Sequence, residues 1–131
     1  MSYLLDTNIV SELSRPRPNP QVTFWAEGVE THLVSAISVE ELRYGIARRP
    51  SPQLHAWMEA YLARHQVLDV NEEIARSAGQ MRGEFSKRGV VRHQADMLIA
   101  ATAKAHGLTL VTRNTRDFDG CGIPVFNPFN A

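Results

Sequence analysis

The chain changes its hydrophobic period within its first thirteen residues. Tyr3-Leu4-Leu5 is a short apolar run, Asp6-Thr7-Asn8 is polar, and Ile9, Val10 and Leu13 then recur at helical spacing. A run that is apolar without alternation marks a strand covered on both faces, as in a parallel sheet packed between helices. Asp6 therefore sits where a strand hands over to a helix, and in open α/β sheets ligands bind at that carboxyl edge. An Asp at this point is also a favoured helix N-cap, so taken alone it reads equally as cap or as ligand-binding acid.

Similar handovers recur along the chain. Arg15–Pro20 carries three prolines and reads as a rigid connector, and Gln21–Glu27 as a short helix turning Val22, Trp25 and Ala26 inward. His32–Ala36 reads as a second strand. Ser38 with Glu41 three residues on matches a capping box, which starts a helix at Ser38 and puts Glu41 in its first turn. Val39, Leu42 and Ile46 give that helix its apolar stripe. Ser51-Pro52 opens another, with Leu54, Trp57, Met58, Tyr61, Leu62 and His65 at helical spacing.

Val67–Val70 reads as a third strand, and Asn71 caps a helix carrying Ile74, Ala78, Met81 and Phe85 inward. Beyond a loop through Val91 and Arg92, a helix with Leu98, Ile99, Thr102 and Ala105 on its face runs to Gly107, a natural C-cap. Leu108–Thr112 is the clearest strand, 113–122 reads as loop, and Pro124–Asn127 as a last strand. Strands alternating with helices predict a three-layer α/β/α sandwich around a small central parallel sheet, with right-handed crossovers. Its 131 residues suit one domain, 1–131.

Composition narrows the function classes. No apolar run is long enough to span a membrane, and no basic segment followed by a long apolar stretch opens the chain. A cytoplasmic protein without membrane contact is expected, consistent with a single cysteine, Cys121. Net charge is +0, so there is no overall basic field for nucleic acid, although a local basic patch beside an acidic site is compatible with it. The histidines at 32, 55, 65, 93 and 106 lack metal-ligand spacing. No glycine-rich phosphate loop follows the first strand, and no Gly-x-Ser-x-Gly elbow occurs.

The acids remain. Asp6 follows the first strand, Glu41 and Asp96 open helices, and Asn114 and Asp117 follow the strand ending at Thr112. In a parallel sheet these points crowd one edge. Crowded carboxylates repel and raise one another's pKa, and a hard divalent cation relieves the repulsion. The chemistry implied is metal-assisted hydrolysis of a phosphodiester. Each residue also has a structural reading: Glu41 as capping-box partner, Glu40 as a solvated acid, Asp96 as a first-turn acid favoured by the helix dipole, Asn114 and Asp117 as turn residues. Their joint placement favours function.

Four short motifs in order, Leu5-Asp6-Thr7-Asn8, Glu41-Leu42-x-x-Gly45, Asp96-Met97-Leu98-Ile99-Ala100-Ala101 and Thr112-Arg113-Asn114-x-x-Asp117-Phe118, resemble the PIN domain. Their spacing is similar to that of the VapC-like toxins of bacterial toxin–antitoxin pairs, near the FitB branch, and the resemblance spans essentially the whole chain. It implies a Mg²⁺- or Mn²⁺-dependent endoribonuclease, a homodimer, and a small VapB/FitA-like antitoxin whose C-terminal tail enters the acidic pocket. It assigns metal binding to Asp6, Glu41 (in preference to Glu40) and Asp96, and pocket-ordering roles to the Thr7 and Thr112 hydroxyls. One position departs from the family pattern, with Asn114 standing where many relatives carry an acid. An Asn adds no charge, so either Asn114 or Asp117 completes the pocket, and a second metal depends on Asp117.

RNA single strands or loops are the substrate expected of such a site, with Arg43, Arg92, Arg113 and Arg116 as candidates for holding phosphates. Arg43 is alternatively a partner for the antitoxin's acidic tail. Two other readings fit less well. A phospho-accepting receiver calls for paired N-terminal acids and a lysine after a late strand, where this chain has Asp6 alone and Arg113. A non-catalytic PIN-like RNA-binding or regulatory domain calls for a missing core acid. Apolar faces around Trp57 and Tyr61 offer a surface for dimerisation.

Overall fold

The computed structural model describes residues 2–130; Met1 and Ala131, the ends of the 1–131 span, lie outside the described residues. The strands are β1 (Tyr3–Leu5), β2 (Leu33–Ser35), β3 (Gln66–Leu68), β4 (Thr109–Val111) and β5 (Val125–Phe126). They form one parallel sheet in the order β3-β2-β1-β4-β5. The helices are α1 (Thr7–Leu13), α2 (Pro20–Glu27), α3 (Ala36–Arg48), α4 (Pro52–Arg64), α5 (Glu72–Lys87) and α6 (Gln94–His106). The α/β architecture around a central parallel sheet is the one expected from the alternation of periods.

The two faces of β1 explain the layers. Leu4 and Leu110 pack with Ile74, Phe85, Met97 and Ile99 from α5 and α6. Leu5, Val34 and Val111 point the other way, onto Ile9 and Val10 of α1, Val22 of α2 and Tyr61 of α4. Leu4 and Leu5 are both fully buried, which for each contributes about 1.5–3 kcal/mol relative to exposure. Both faces being covered is why the run is apolar without alternation. Trp57 stacks on Tyr61 at 4.9 Å, and Tyr61 is 4% exposed, so Tyr61 belongs to the protein's own core and supplies no free surface for dimerisation.

Register sets the site. Leu5 stands opposite Val34 on one side and Val111 on the other. The next residues, Asp6, Ser35 and Thr112, therefore line the carboxyl edge together.

Local signals explain most of the helix ends. Ser51 and Asn71 cap α4 and α5 through their side chains, and Gly107 ends α6 in the left-handed conformation at φ 63°. The start of α3 differs from expectation. Its N-cap is Ser35, whose hydroxyl accepts from the Ile37 N–H at 3.0 Å. Ser38 is the third helical residue, fully buried, and Glu41 lies in the second turn, so the capping box does not form. Ala105 also differs: it is exposed, whereas Met97, Ile99, Ala100, Ala101, Thr102 and Ala103 are buried. The segment 113–122 is mostly irregular, as expected, but contains one turn of 3₁₀ helix, Thr115–Phe118.

Candidate active site

Asp6 is both helix cap and pocket acid. Its Oδ1 accepts from the Thr7 N–H at 2.8 Å, and its Oδ2 accepts from the Thr112 hydroxyl at 2.8 Å and from Asn8 Nδ2 at 3.2 Å. Asp6 as a whole is 5% exposed. Burial pushes its pKa up; the bonds from Thr112 and Thr7 oppose the shift, and the charges of Glu41 and Asp117 add to it.

Glu41 reaches the same edge from α3. The Thr7 hydroxyl donates to Glu41 Oε1 at 2.6 Å and stands 2.8 Å from Ser38 Oγ. A hydroxyl has one proton to give, so Ser38 donates in turn to Thr7. Thr7 and Ser38 thus hold Glu41 against the start of α1.

Asp96 lies in the first turn of α6 and is half-buried. Its pKa is raised to about 6, first by burial, then by the charges of Asp6 and Asp117, with a smaller push from Glu41 and an opposing pull from His93. Asp6 stands at the end of β1, Glu41 on α3, Asp96 in the first turn of α6 and Asp117 on the 3₁₀ turn after β4. Asp117 is exposed on that turn, and its N–H donates to the Asn114 carbonyl at 3.1 Å. Asn114 is exposed as well, and its N–H donates to Thr112 Oγ1 at 3.1 Å.

The donors on offer are carboxylate oxygens, which is the donor chemistry of a hard divalent cation. Among the described residues, no three acidic, histidine or cysteine side chains stand as a ready-made cation cluster. The donor set fits such an ion in type and charge, and its carboxylates would have to draw together around it.

The chain matches the PIN domain family over residues 3–121. It belongs to the PIN domain family. It is 38% identical to the toxin FitB of Neisseria gonorrhoeae, over 97% of this chain and 98% of that one. It is 35% identical to the VapC ribonuclease Y4jK of Sinorhizobium fredii, over 96% of each. The crystal structure of FitAcB from Neisseria gonorrhoeae superposes with a TM-score of 0.88 at 36% identity, over 98% of this chain and 99% of that one.

Within this PIN domain, sequence reasoning misses two parts of the site. Asn8 bridges the edge: its Nδ2 reaches Asp6 and, at 3.3 Å, Thr112 Oγ1, while its Oδ1 accepts from the Arg113 N–H at 3.2 Å. Ser38 reads as a cap but braces Thr7. The only signal for Asn8 is its place in the first turn after Asp6, on the same edge. Three of the four candidate phosphate-binding arginines are engaged within the chain. Arg43 donates to His55 Nδ1 at 2.9 Å, and the Arg113 guanidinium lies over the Phe129 ring at 4.5 Å. Arg92 donates from Nη2 to the Asp119 carbonyl at 2.8 Å and from Nη1 to the Asp117 carbonyl, so it holds backbone rather than standing free.

Proposed function

We propose that this PIN domain is a metal-dependent endoribonuclease and the toxin of a toxin–antitoxin pair. The observation that carries the reading is the buried carboxyl edge where Thr112 holds Asp6 and Thr7 joins Glu41 to the same helix start, with Asp96 and Asp117 on the elements beside it; burial first, and neighbouring carboxylates after it, raise the pKa of Asp6 and Asp96. Asp6, Glu41 and Asp96 are the residues to hold Mg²⁺ or Mn²⁺, with Asp117 completing the pocket. When bound, the ion would activate a water and shield the charge of an RNA phosphate. Thr112 and Thr7 orient the carboxylates, and Asn8 ties the α1 start to the loop after β4. Between Asp117 and Asn114, the charge felt by both Asp6 and Asp96 favours Asp117.

The relatives' names, toxin FitB and VapC ribonuclease, support both the RNA substrate and the toxin role. The partner we propose is a small VapB/FitA-like antitoxin. A groove of about 240 Å³ lined by Leu42, Ile46, Leu54, Trp57 and Met58 opens beside Glu41, which suits an apolar helix leading a tail toward the acids. Among the described residues, no helix is long and apolar enough to cross a membrane. A homodimer acting in the cytoplasm is the state we propose, checked by light scattering of the purified protein. A non-catalytic RNA-binding role would suit a chain lacking a core acid, and Asp6, Glu41 and Asp96 are all present.

The test is Asp96→Asn. Cleavage of RNA falls by about 10²–10³-fold, the scale for losing one electrostatic stabiliser of a transition state, while circular dichroism stays that of the parent. Retained cleavage in a folded variant removes Asp96 from the site.

A further inference from the structure

Asp117 is the least supported of the four acids: it is exposed, and it sits on a single 3₁₀ turn within an otherwise irregular segment. Around the 3₁₀ turn the segment bonds to itself through Asp117 N–H to Asn114, Asp119 N–H to Arg116 and Cys121 N–H to Phe118. Phe118 and Cys121 anchor its inner side, at 2% exposure each. What grips its outer side comes from elsewhere in the chain.

Arg92 stands two residues before α6, the helix that carries Asp96. Its guanidinium spans two carbonyls of the segment, Nη1 donating to Asp117 and Nη2 to Asp119 at 2.8 Å. The same guanidinium lies over the Phe85 ring of α5 at 4.1 Å. Phe85 is 5% exposed and is a fixed part of the core. Gly120 passes so close to this ring that an added Cβ would meet it at 3.4 Å, and its φ is +80°. The segment is thus pinned between an aromatic floor and a planar fork, and the fork grows from the backbone that leads into Asp96.

We propose that Arg92 is a positioning residue of the acidic site, clamping the Asp117 and Asp119 carbonyls so that the Asp117 carboxylate is held facing Asp96. It acts through the backbone it grips. The geometry requires arginine. A lysine ammonium is a single point charge that cannot span two carbonyls in one plane while lying flat on a ring. This assignment rests on the ribonuclease reading for its catalytic consequence, but the clamp itself is independent of it.

The test has two arms. The first is amide hydrogen exchange of the parent, Arg92→Lys and Arg92→Ala. Both variants speed exchange at Asp119 and Cys121 by about tenfold or more, as expected when a local opening is released, while amides within α5 and α6 keep their protection. Unchanged exchange at these two amides overturns the clamp, whether or not the protein cuts RNA. The second arm is RNA cleavage by Arg92→Ala, Asp117→Asn and the double variant. A positioning role lowers kcat by about tenfold with KM unchanged in either single variant, and the double variant is no worse than Asp117→Asn alone. A raised KM with unchanged kcat makes Arg92 a phosphate contact instead. Costs that multiply in the double variant show that Arg92 acts elsewhere, and both results overturn the proposal.

Discussion

The Thr112 hydroxyl donates to Asp6 Oδ2 at 2.8 Å across 106 residues of sequence, joining the carboxyl ends of β1 and β4 at a buried acid. The same Oγ1 accepts from the Asn114 N–H, so one hydroxyl orders both an acid and the loop beyond it. Thr112→Val keeps the shape and removes the bond. A buried carboxylate deprived of a donor costs about 1–3 kcal/mol, so urea unfolding at pH 7 should show a lower midpoint with unchanged slope. Thr112→Ser, which retains the hydroxyl, should recover most of the loss.

The acids strain the metal-free fold at neutral pH. The ordinary pKa of Asp96 is 3.8, and the folded protein raises it to about 6. The folded state therefore holds this proton to higher pH than the unfolded chain does. Stability falls as pH rises through the window between these values, and the penalty is complete above it. In chelator, Asp96→Asn should melt above the parent at pH 7, and the two should converge near pH 4. A parent more stable at pH 7 than at pH 5, with no gain from the substitution, would contradict the raised Asp96 pKa.

A divalent cation should reverse that strain. An ion that binds only the folded state adds about 2.7 kcal/mol of stability at 100 times its Kd. Mg²⁺ or Mn²⁺ should raise the parent's melting temperature at pH 7 and have a much smaller effect on Asp96→Asn. Equal shifts in both proteins would place the ion elsewhere.

A second buried polar group, away from the acids, serves as a control. His32 Nε2 lies 3.1 Å from the Ala26 carbonyl, so it carries the proton, and Nδ1 accepts from the Tyr61 hydroxyl at 2.7 Å. Tyr61→Phe leaves Nδ1 buried without a donor and should cost about 1–3 kcal/mol in unfolding experiments. Cleavage measured well below the melting temperature should be unchanged, which separates loss of stability from loss of the site.

The fold was legible where local physics and burial agree. Both faces of β1 are covered, so Tyr3-Leu4-Leu5 reads without ambiguity, and Ser51, Asn71 and Gly107 act where their local chemistry suggests. The start of α3 was not legible because Ser35 and Ser38 are equally good caps at a spacing of three. Tertiary contact decides between them: Ser38 is fully buried against Thr7, 31 residues away. The approach of Asp6, Glu41 and Asp96 to one edge follows from a parallel sheet and needs only strand order. The grip of Arg92 on Asp117 joins residues 25 apart through backbone carbonyls, and no side-chain pattern announces such a contact.

The proposed activity is RNA cleavage at the acidic edge with a divalent cation. The most direct measurement is cleavage of a transfer RNA pool by the purified protein and by Asp6→Asn, each with Mg²⁺ or Mn²⁺ and again with chelator. The parent should make discrete cuts with metal and none with chelator, and Asp6→Asn should make none. Equal cutting by both proteins, or cutting that persists in chelator, would contradict it.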